Sequence, residues 1–294
     1  MTAGSTTVKG DTDSGNGMQA LVVEGGALRG VFSTGLLDGF LEADFNPFDL
    51  YIGVSAGASN LAAYLAGMMG RNGTIYRDHS LRPEFINLNR FLRGGHLLDL
   101  DWLWEITIRE IRLDLMAIYA RRKPFVVVLT DVLTGQAVYR QTAEEDLEHT
   151  LKASSAIPLL YRSCPEVDGR PATDGGIADA IPVGEAIRRG ARRVMVVRSR
   201  PRNYVKRLGL SDRLLVHHMR RYPLLGEALK RRAARYNESV VLIRKPPDGI
   251  DIIEICPPAD FRVSRLSRNR RILDEGYEQG RMTAADAIRR WEAG

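Results

Sequence analysis

The stretch that decides the fold is Gly53-Val54-Ser55-Ala56-Gly57. It follows an extended apolar segment over 48–52 and precedes a small-residue helix predicted over 58–69. A serine flanked by glycines in this position predicts a nucleophile elbow, because the turn between strand and helix is so sharp that only glycine leaves room around it. The helix that follows points its N-terminal amides at any oxyanion that forms beside Ser55.

A second glycine turn lies earlier in the chain and reads Glu24-Gly25-Gly26-Ala27-Leu28-Arg29-Gly30. It follows a buried strand predicted over 20–23 and opens a helix predicted over 28–42. Consecutive small residues at a helix start leave main-chain N–H groups accessible and without hydrogen-bond partners, so they can bind an oxyanion. Arg29 adds positive charge nearby. A dinucleotide phosphate is the alternative ligand. The spacing GGxxxG, rather than GxGxxG, disfavours it, and it would leave Ser55 unexplained.

Two successive strand–glycine turn–helix units imply right-handed connections and a parallel sheet. The sequence therefore predicts an α/β fold: a doubly wound, mostly parallel sheet sandwiched by helices in three layers, with a helical insertion over 81–123 and a basic C-terminal helical extension. Further strands are predicted over 125–129, 193–197 and 252–255, an antiparallel partner over 137–140, a hairpin over 166–171, and helices over 144–155, 182–189, 208–238 and 274–292.

The length of 294 residues suits one α/β domain with an addition. We expect a disordered tail over 1–18, a catalytic domain over 19–200, and a basic extension over 201–294 packed on the same domain. The tail lacks the apolar segment of a secretory signal, and no apolar run reaches the ~18–20 residues that span a bilayer. We therefore expect a cytoplasmic protein that can also bind peripherally to a membrane.

Positive charge is concentrated in the second half of the chain. The net charge is +6, and within residues 188–244 a dense series of arginines is opposed only by Asp212, Glu227 and Glu238. A second arginine cluster follows over 262–271. The asymmetry indicates an anionic partner, either a lipid surface or a nucleic acid, and the alternative is a solvated basic face.

Cysteine and histidine offer little chemistry. Cys164 and Cys256 lie far apart, so we expect free thiols, and no spacing suggests a metal site or another cofactor. The five histidines lie outside turn motifs of the kind that present a catalytic imidazole: His79, His96, His149, His217 and His218. The elbow also follows only one strand, which disfavours the order of an α/β-hydrolase.

The better candidate for a general base is Asp174, in the turn Thr173-Asp174-Gly175-Gly176. An aspartate followed by two glycines at a strand end can approach another main-chain turn closely, whereas a plain Asp-Gly turn is the structural alternative. Beside an elbow and a glycine loop, the catalytic interpretation is favoured. An aspartate is a weak base in water, so we expect the site to be partly desolvated.

These three motifs, in this order, resemble the signatures of patatin-like phospholipases. The segments 152–158 and 181–183 are similar to further segments of that family, and the resemblance covers about residues 20–197. It implies a Ser55–Asp174 dyad that needs no histidine, an oxyanion hole from the amides of Gly25, Gly26 and Ala27 with Arg29 nearby, and calcium-independent hydrolysis of lipid acyl esters. The supporting glycines are Gly30, Gly53, Gly57, Gly175 and Gly176.

The resemblance implies a lipid or phospholipid substrate. With such a substrate, the charge of the basic half favours peripheral contact with an anionic membrane over a nucleic acid. A thioesterase or acyltransferase using the same dyad is the chemical alternative, and a weakly active membrane- or nucleic-acid-binding module is the other. Ala27 departs from the family, which usually has a third glycine there. Activity should survive if Ala27 keeps a negative φ.

The insertion carries apolar residues that could line an acyl-chain groove or a lid, with ordinary core packing as the alternative. These residues are Leu97, Leu98, Trp102, Leu103 and Ile106.

Overall fold

The computed structural model of the protein describes residues 17–209, 215–217 and 219–294. Residues 1–16 of the predicted tail, and residues 210–214 and 218 of the helix predicted over 208–238, lie outside this range.

Within the described residues, eight strands form a mostly parallel sheet in the order β5-β6-β3-β2-β1-β7-β8, with β4 also paired to β3. Strands β3, β2, β1, β7 and β8 run parallel, whereas β4, β6 and β5 pair antiparallel. The strands are β1 (Gln19–Val23), β2 (Leu50–Val54), β3 (Phe125–Asp131), β4 (Ala137–Gln141), β5 (Glu166–Val167), β6 (Arg170–Asp174), β7 (Arg193–Val197) and β8 (Asp251–Ile255).

Helices cover both faces of this sheet. The α-helices of the described residues are α1 (Val31–Glu42), α2 (Ala56–Leu65), α3 (Arg71–Arg77), α4 (Leu88–Leu92), α5 (Leu100–Ile111), α6 (Leu115–Ala120), α7 (Leu147–Ser154), α8 (Val183–Arg188), α9 (Pro223–Arg244) and α10 (Arg270–Glu292). Helices α4, α5 and α6 form the predicted insertion, and α9 and α10 the C-terminal helical region. The three-layer α/β architecture expected from the sequence is confirmed.

The core divides into two apolar layers because side chains of a buried parallel strand alternate between faces. Leu21 and Val23 of β1 pack with residues of α1, α2 and α10. Ala20 and Val22, on the opposite face of the same strand, pack with residues of α8 and α9. Both faces of β1 are therefore dry, which explains its uninterrupted apolar sequence.

The C-terminal region is continuous with this core. Strand β8 extends the sheet beyond β7, and α10 packs along α1. The contact between the two helices is close at Gly280, where a Cβ atom would lie 2.1 Å from the carbonyl oxygen of Phe32. The Tyr277 hydroxyl also donates a 2.8 Å hydrogen bond to Asp38 of α1.

Some predicted helix boundaries were wrong for identifiable reasons. Helix α2 ends at Leu65 rather than 69 because Gly67, at φ +69°, closes it, with the amide of Met68 bonded to the Ala63 carbonyl. Within the helix predicted over 208–238, residues 215–217 are helical and Met219–Arg221 form a 3₁₀ turn. Helix α9 follows from Pro223, a residue suited to a first helical turn, and ends at Arg244 rather than 238.

Strand β3 brings the ends of β2 and β6 together. Strand β4 occupies one edge of β3. Along the other edge Val54, the last residue of β2, pairs with Val128, and Asp174, the last residue of β6, pairs with the next residue, Leu129. Because β2 and β6 run in opposite directions, both end at this point, which places Asp174 next to the turn that carries Ser55.

Candidate active site

Ser55 stands at the sharp turn between β2 and α2. Its backbone has φ +53° and ψ −128°, which L-residues rarely adopt, and the residue is only 4 % exposed. The turn brings α2 against the end of β1, where a Cβ atom on Gly57 would lie 2.5 Å from the Val23 carbonyl oxygen. Gly53, before the turn, faces Ala58 of α2 equally closely. The geometry is that of the predicted nucleophile elbow.

A second serine holds this turn in place. Ser154, at the end of α7, accepts a 2.8 Å hydrogen bond from the amide of Ser55 through its Oγ. The same Oγ donates a 2.7 Å hydrogen bond to the carbonyl of Val128 in β3. Because Ser154 is fully buried, these two bonds tie the elbow directly to the neighbouring strand.

The first glycine turn faces the elbow across a short gap. A Cβ atom on Gly25 would lie 2.7 Å from the Val54 carbonyl oxygen and 3.0 Å from Ser55 Cβ, so only glycine permits this approach. The amides of Gly25, Gly26 and Ala27 make no hydrogen bond to any residue that the structure describes. Three unsatisfied donors beside a serine are what an oxyanion hole requires.

Ala27 does not have the negative φ that is the condition for its methyl group to be tolerated. Its φ is +48°, in the left-handed region that glycine occupies without penalty. The loop thus retains a backbone suited to glycine even though the residue is alanine. Forcing an L-residue into this region costs about 1–2 kcal/mol.

Arg29 and Gly30 follow in the short 3₁₀ turn at Ala27–Gly30. Arg29 is only 4 % exposed, and burial, then the charge of Arg200, lowers its pKa to about 10. One guanidinium nitrogen, Nη2, lies 3.4 Å from Ser199 Oγ. The Gly30 carbonyl accepts hydrogen bonds from Ser33 and Asn60, which fixes the start of α1.

Asp174 ends β6 and is 5 % exposed, so it lies in a partly desolvated site as expected. Its Oδ1 accepts a 2.8 Å hydrogen bond from the amide of Gly176. Gly175 crosses tightly over β3, where its Cβ atom would lie 2.1 Å from the Val128 carbonyl oxygen. The two glycines thus turn the chain away and leave the carboxylate at the strand end.

Ser55 Oγ and the Asp174 carboxylate border the same cavity, but no hydrogen bond joins them in this structure. Catalytic hydrogen bonds are often long in the absence of substrate and shorten in the complex.

No described histidine lines either of the two cavities that adjoin Ser55. His79 bonds to Glu110 instead, and His149 bonds to the Glu166 carbonyl. Both cysteines are free thiols, as predicted.

An apolar pocket of about 950 Å³ opens at Ser55. Its walls come from α3 and from the insertion, chiefly α5, and include Ile75, Leu98, Leu103 and Trp104. Of the five insertion residues expected to form such a groove, Leu98 and Leu103 line the pocket. Leu97, Trp102 and Ile106 do not line it: Ile106 is buried, and Leu97 and Trp102 are half-buried against the neighbouring apolar cluster.

A second cavity of about 520 Å³, the cationic chamber, also borders Ser55 and contains Asp174. The two cavities share Ala27, Ser55, Ile157 and Arg265, so the serine stands at their junction. Cationic side chains of the chamber are Arg29, Lys206, Arg232 and Arg265.

Three residues of this site escaped sequence reasoning or received no role from it. Ser154 lies in the segment 152–158, but its bond to the Ser55 amide depends on how α7 packs. Ser199 donates a 3.0 Å hydrogen bond from Oγ to the Gly25 carbonyl, and its amide donates to Glu24. Lys206 lies among the basic residues of the C-terminal half, where nothing in its local sequence marks it.

No helix in the described part of the chain is long and apolar enough to cross a membrane. Those same residues contain no cluster of three or more side chains suited to holding a metal ion.

Comparison with known proteins agrees with this geometry. The profile of the patatin-like phospholipase family matches residues 21–187, more than half of the 294-residue chain, and that of a domain of unknown function matches residues 222–293. The uncharacterized protein YjjU of Escherichia coli K12 is 36 % identical over 277 residues, which cover 90 % of this chain and 76 % of that protein.

More distant similarity is found to other bacterial proteins. The uncharacterized NTE family protein Rv1063c of Mycobacterium tuberculosis is 27 % identical over 164 residues, covering 56 % of this chain and 44 % of that protein. The crystal structure of VipD from Legionella pneumophila aligns with a TM-score of 0.46 at 15 % identity, covering 93 % of this chain and 67 % of that one. On the family profile and its ordered motifs, the chain belongs to the patatin-like phospholipase family.

Proposed function

We propose that the protein hydrolyses acyl esters of lipids, phospholipids among them, with Ser55 as the nucleophile and Asp174 as the general base. The observation that carries this proposal is the position of Ser55. It lies between three main-chain amides without hydrogen-bond partners among the described residues and the mouth of a large apolar pocket. Family membership supports lipid acyl hydrolysis in general, and the site geometry supports the assignment of roles.

In the first half of the reaction, Ser55 Oγ attacks the ester carbonyl carbon while Asp174 accepts the hydroxyl proton. The carbonyl oxygen becomes an oxyanion, which the amides of Gly25, Gly26 and Ala27 are placed to stabilise. The bond between the carbonyl carbon and the alcohol oxygen then breaks. The leaving alcohol takes the proton from Asp174, and the acyl group remains on Ser55.

In the second half, water resolves the acyl-enzyme. Asp174 removes a proton from water, the resulting oxygen bonds to the acyl carbon, and the bond to Ser55 Oγ breaks with return of the proton to the serine. The products are a carboxylic acid and an alcohol. The apolar pocket would hold the acyl chain throughout, since burying each CH₂ group contributes about 0.8 kcal/mol.

The assignment is tested by labelling with a fluorophosphonate probe, followed by mass-spectrometric mapping of the modified residue. We expect labelling of the wild-type protein at Ser55, no labelling of Ser55→Ala, and strongly reduced labelling of Asp174→Asn. In parallel, p-nitrophenyl acyl esters report turnover. Hydrolysis by Ser55→Ala at the wild-type rate would overturn the nucleophile assignment, and undiminished labelling of Asp174→Asn would overturn the base.

Thioester hydrolysis and acyl transfer use the same acyl-enzyme and differ in what enters or leaves it. Product analysis distinguishes hydrolysis from acyl transfer: incubation of an ester substrate with an added alcohol acceptor yields only free acid if water is the acceptor, and a new ester if the alcohol competes.

We also propose peripheral contact with an anionic membrane. Arg265 borders both cavities, and the exposed residues Leu266 and Arg268 follow it in the sequence. Apolar and basic groups therefore lie near the pocket. Basic residues near an anionic bilayer contribute roughly 1 kcal/mol each at low salt. Sedimentation with anionic and neutral liposomes tests the contact, and binding that is equal for both and insensitive to salt would contradict it.

A further inference from the structure

The cationic chamber has more positive charge than the dyad needs. Four of its described lining residues are cationic, whereas its carboxylates are Glu24 and Asp174. Glu24 is already engaged: it accepts a 2.8 Å hydrogen bond from the amide of Ser199, and Arg198 Nε lies 3.9 Å away. Arg198 is fully buried and is not among the residues that line the chamber. The chamber therefore retains an excess of positive charge next to Ser55.

Arg29 is the strongest candidate donor to an anion in the chamber. Its guanidinium is buried, yet Nε and Nη1 have no hydrogen-bond partner among the described residues. Burying a cation without partners is strongly unfavourable, and proteins normally avoid it unless a ligand supplies the acceptor. An anion in the chamber would provide that acceptor.

Two further cations reach the chamber from beyond the segment that matches the family. The main chain of Lys206 is clamped by Asn237 of α9, whose side chain bonds to both its amide and its carbonyl at 3.0 Å. The carbonyl of Arg265 accepts a 3.4 Å hydrogen bond from the amide of Leu28, and its side chain has no ion-pair partner among the described residues. Neither side chain forms an ion pair with a residue that the structure describes.

Burial and the positive charge of the chamber together lower the pKa of Lys206. Burial, then the charges of Arg232 and Arg265, lowers the pKa of Lys206 to about 6. An anion bound among these groups would reverse that effect, because a nearby negative charge favours the protonated amine.

We propose that the chamber binds the phosphate of the substrate's leaving group, with Arg29, Lys206 and Arg265 as its donors. The inference rests on the proposed function and names its substrate class: acyl esters of glycerophosphate. The acyl chain occupies the apolar pocket, the ester carbon lies at Ser55, and the phosphate on the alcohol side lies in the chamber. A phosphate carries more charge and more acceptor oxygens than a carboxylate, which suits several cations in one small space.

The test compares two substrates that differ only in the phosphate: a 1-acylglycerol 3-phosphate and the 1-acylglycerol with the same acyl chain. We expect wild-type kcat/KM to favour the phosphate ester by roughly 10-fold or more. Lys206→Met and Arg265→Gln should each lower that ratio roughly 10-fold. Arg207→Gln, at the exposed position next to Lys206, is the matched control and should leave the ratio unchanged.

Binding is measured separately, by calorimetry on the Ser55→Ala protein. sn-Glycerol 3-phosphate should bind near neutral pH with uptake of protons, and Lys206→Met in this background should abolish the uptake. Inorganic phosphate is the second probe, and tighter binding of it than of glycerol 3-phosphate would assign the chamber to free phosphate and overturn the lipid interpretation.

Failure of the phosphate site and failure of the proposed function give different results. Ser55-dependent hydrolysis of both substrates, with a ratio near one that Lys206→Met and Arg265→Gln do not change, would overturn the phosphate site and leave the proposed function intact. If neither substrate is hydrolysed, the proposed function fails, and the calorimetry still decides whether the chamber binds a phosphate ester.

Discussion

The main-chain amide of Ser55 donates a 2.8 Å hydrogen bond to the side chain of Ser154, which in turn bonds to the Val128 carbonyl of β3. Ser154 touches no reacting atom in the proposed mechanism. It acts as a positioning residue, because the elbow can hold its unusual backbone conformation only if the amide of Ser55 is satisfied.

Ser154→Ala should therefore lower kcat roughly 10- to 100-fold with little change in KM, since the nucleophile is displaced rather than the substrate site. Leaving a buried amide unsatisfied should also lower the free energy of unfolding by about 1–3 kcal/mol. Ester hydrolysis and urea unfolding measure the two effects. Thr150→Val is the matched control on α7, because the buried Thr150 hydroxyl has no partner among the described residues. Equal behaviour of both variants would contradict the role of Ser154.

Ala27→Gly should stabilise the protein. Ala27 has φ +48°, so glycine at this position relieves about 1 kcal/mol of strain. The control is Ala66→Gly, at φ −71°, which should instead destabilise by about 0.5–1 kcal/mol. Chemical denaturation measures both. A loss of stability in Ala27→Gly as large as in the control would show that the loop does not hold this conformation in solution.

The buried arginine Arg198 should be a major determinant of stability. Its Nη1 lies 2.6 Å from Glu254 Oε1, and its Nη2 donates a 2.7 Å hydrogen bond to Tyr236. Arg198→Met removes the buried cation next to Glu24 and leaves Glu254 with only the more exposed Arg202 and Arg244, so we expect a loss of about 3–5 kcal/mol near neutral pH. Arg289→Met, which breaks the exposed pair with Asp286, should cost less than about 1 kcal/mol. Equal losses in urea unfolding would contradict this ranking.

The same ion pair predicts a pH dependence. Burial opposes ionisation of Glu254, but hydrogen bonding and charge, first from Arg198 and then from Arg244, outweigh it and lower the pKa below the ordinary 4.5. A depressed pKa stabilises the fold above pH 4.5, and this contribution is lost as the pH falls through the folded-state value. Unfolding measured at successively lower pH should show a steeper decline for wild type than for Arg198→Met, and parallel curves would contradict the linkage.

Leu103→Trp should change the preference for acyl length. Leu103 lines the apolar pocket, so a larger side chain there shortens the space for an acyl chain. We expect the ratio of kcat/KM for a dodecanoyl ester to that for a butyryl ester to fall roughly 10-fold or more. Met116→Trp, at an exposed position on α6, is the control and should leave the ratio unchanged. An unchanged ratio in Leu103→Trp would place the acyl chain elsewhere.

Most of the catalytic domain's fold could be predicted because its signals are local. Apolar strands followed by glycine turns predicted β1 and β2 and the helices after them, and the structure has both. The antiparallel strand β4 followed from its short turn. Helix ends were predicted less well: α2 ends at Leu65 rather than 69, and α9 ends at Arg244 rather than 238, since the apolar pattern alone does not show where a cap will form.

The charge pattern was the most misleading feature of the sequence. The arginines over 188–244 have few acidic residues among them, yet Arg198 is buried and pairs with Glu254, 56 residues away in sequence. Arg188 and Arg189 pair with Glu185, and Arg193 pairs with Asp251. Counting charges within this range therefore overstated the free positive surface. Glu185 lies one helical turn before Arg188 and Arg189, and the pairing of β7 with β8 brings acidic residues of β8 to Arg193 and Arg198.

The sequence by itself determined the two glycine turns, the elbow at Ser55 and the candidate aspartate at a strand end, since the space that glycine leaves is a property of a few neighbouring residues. Only the tertiary structure decided which groups meet around them. The pairing of β3 with both β2 and β6 brings Asp174 beside the elbow, and the packing of α7 places Ser154 against it. Lys206 and Arg265 reach the chamber because the C-terminal region folds onto the catalytic core, a contact between distant segments that no local pattern encodes.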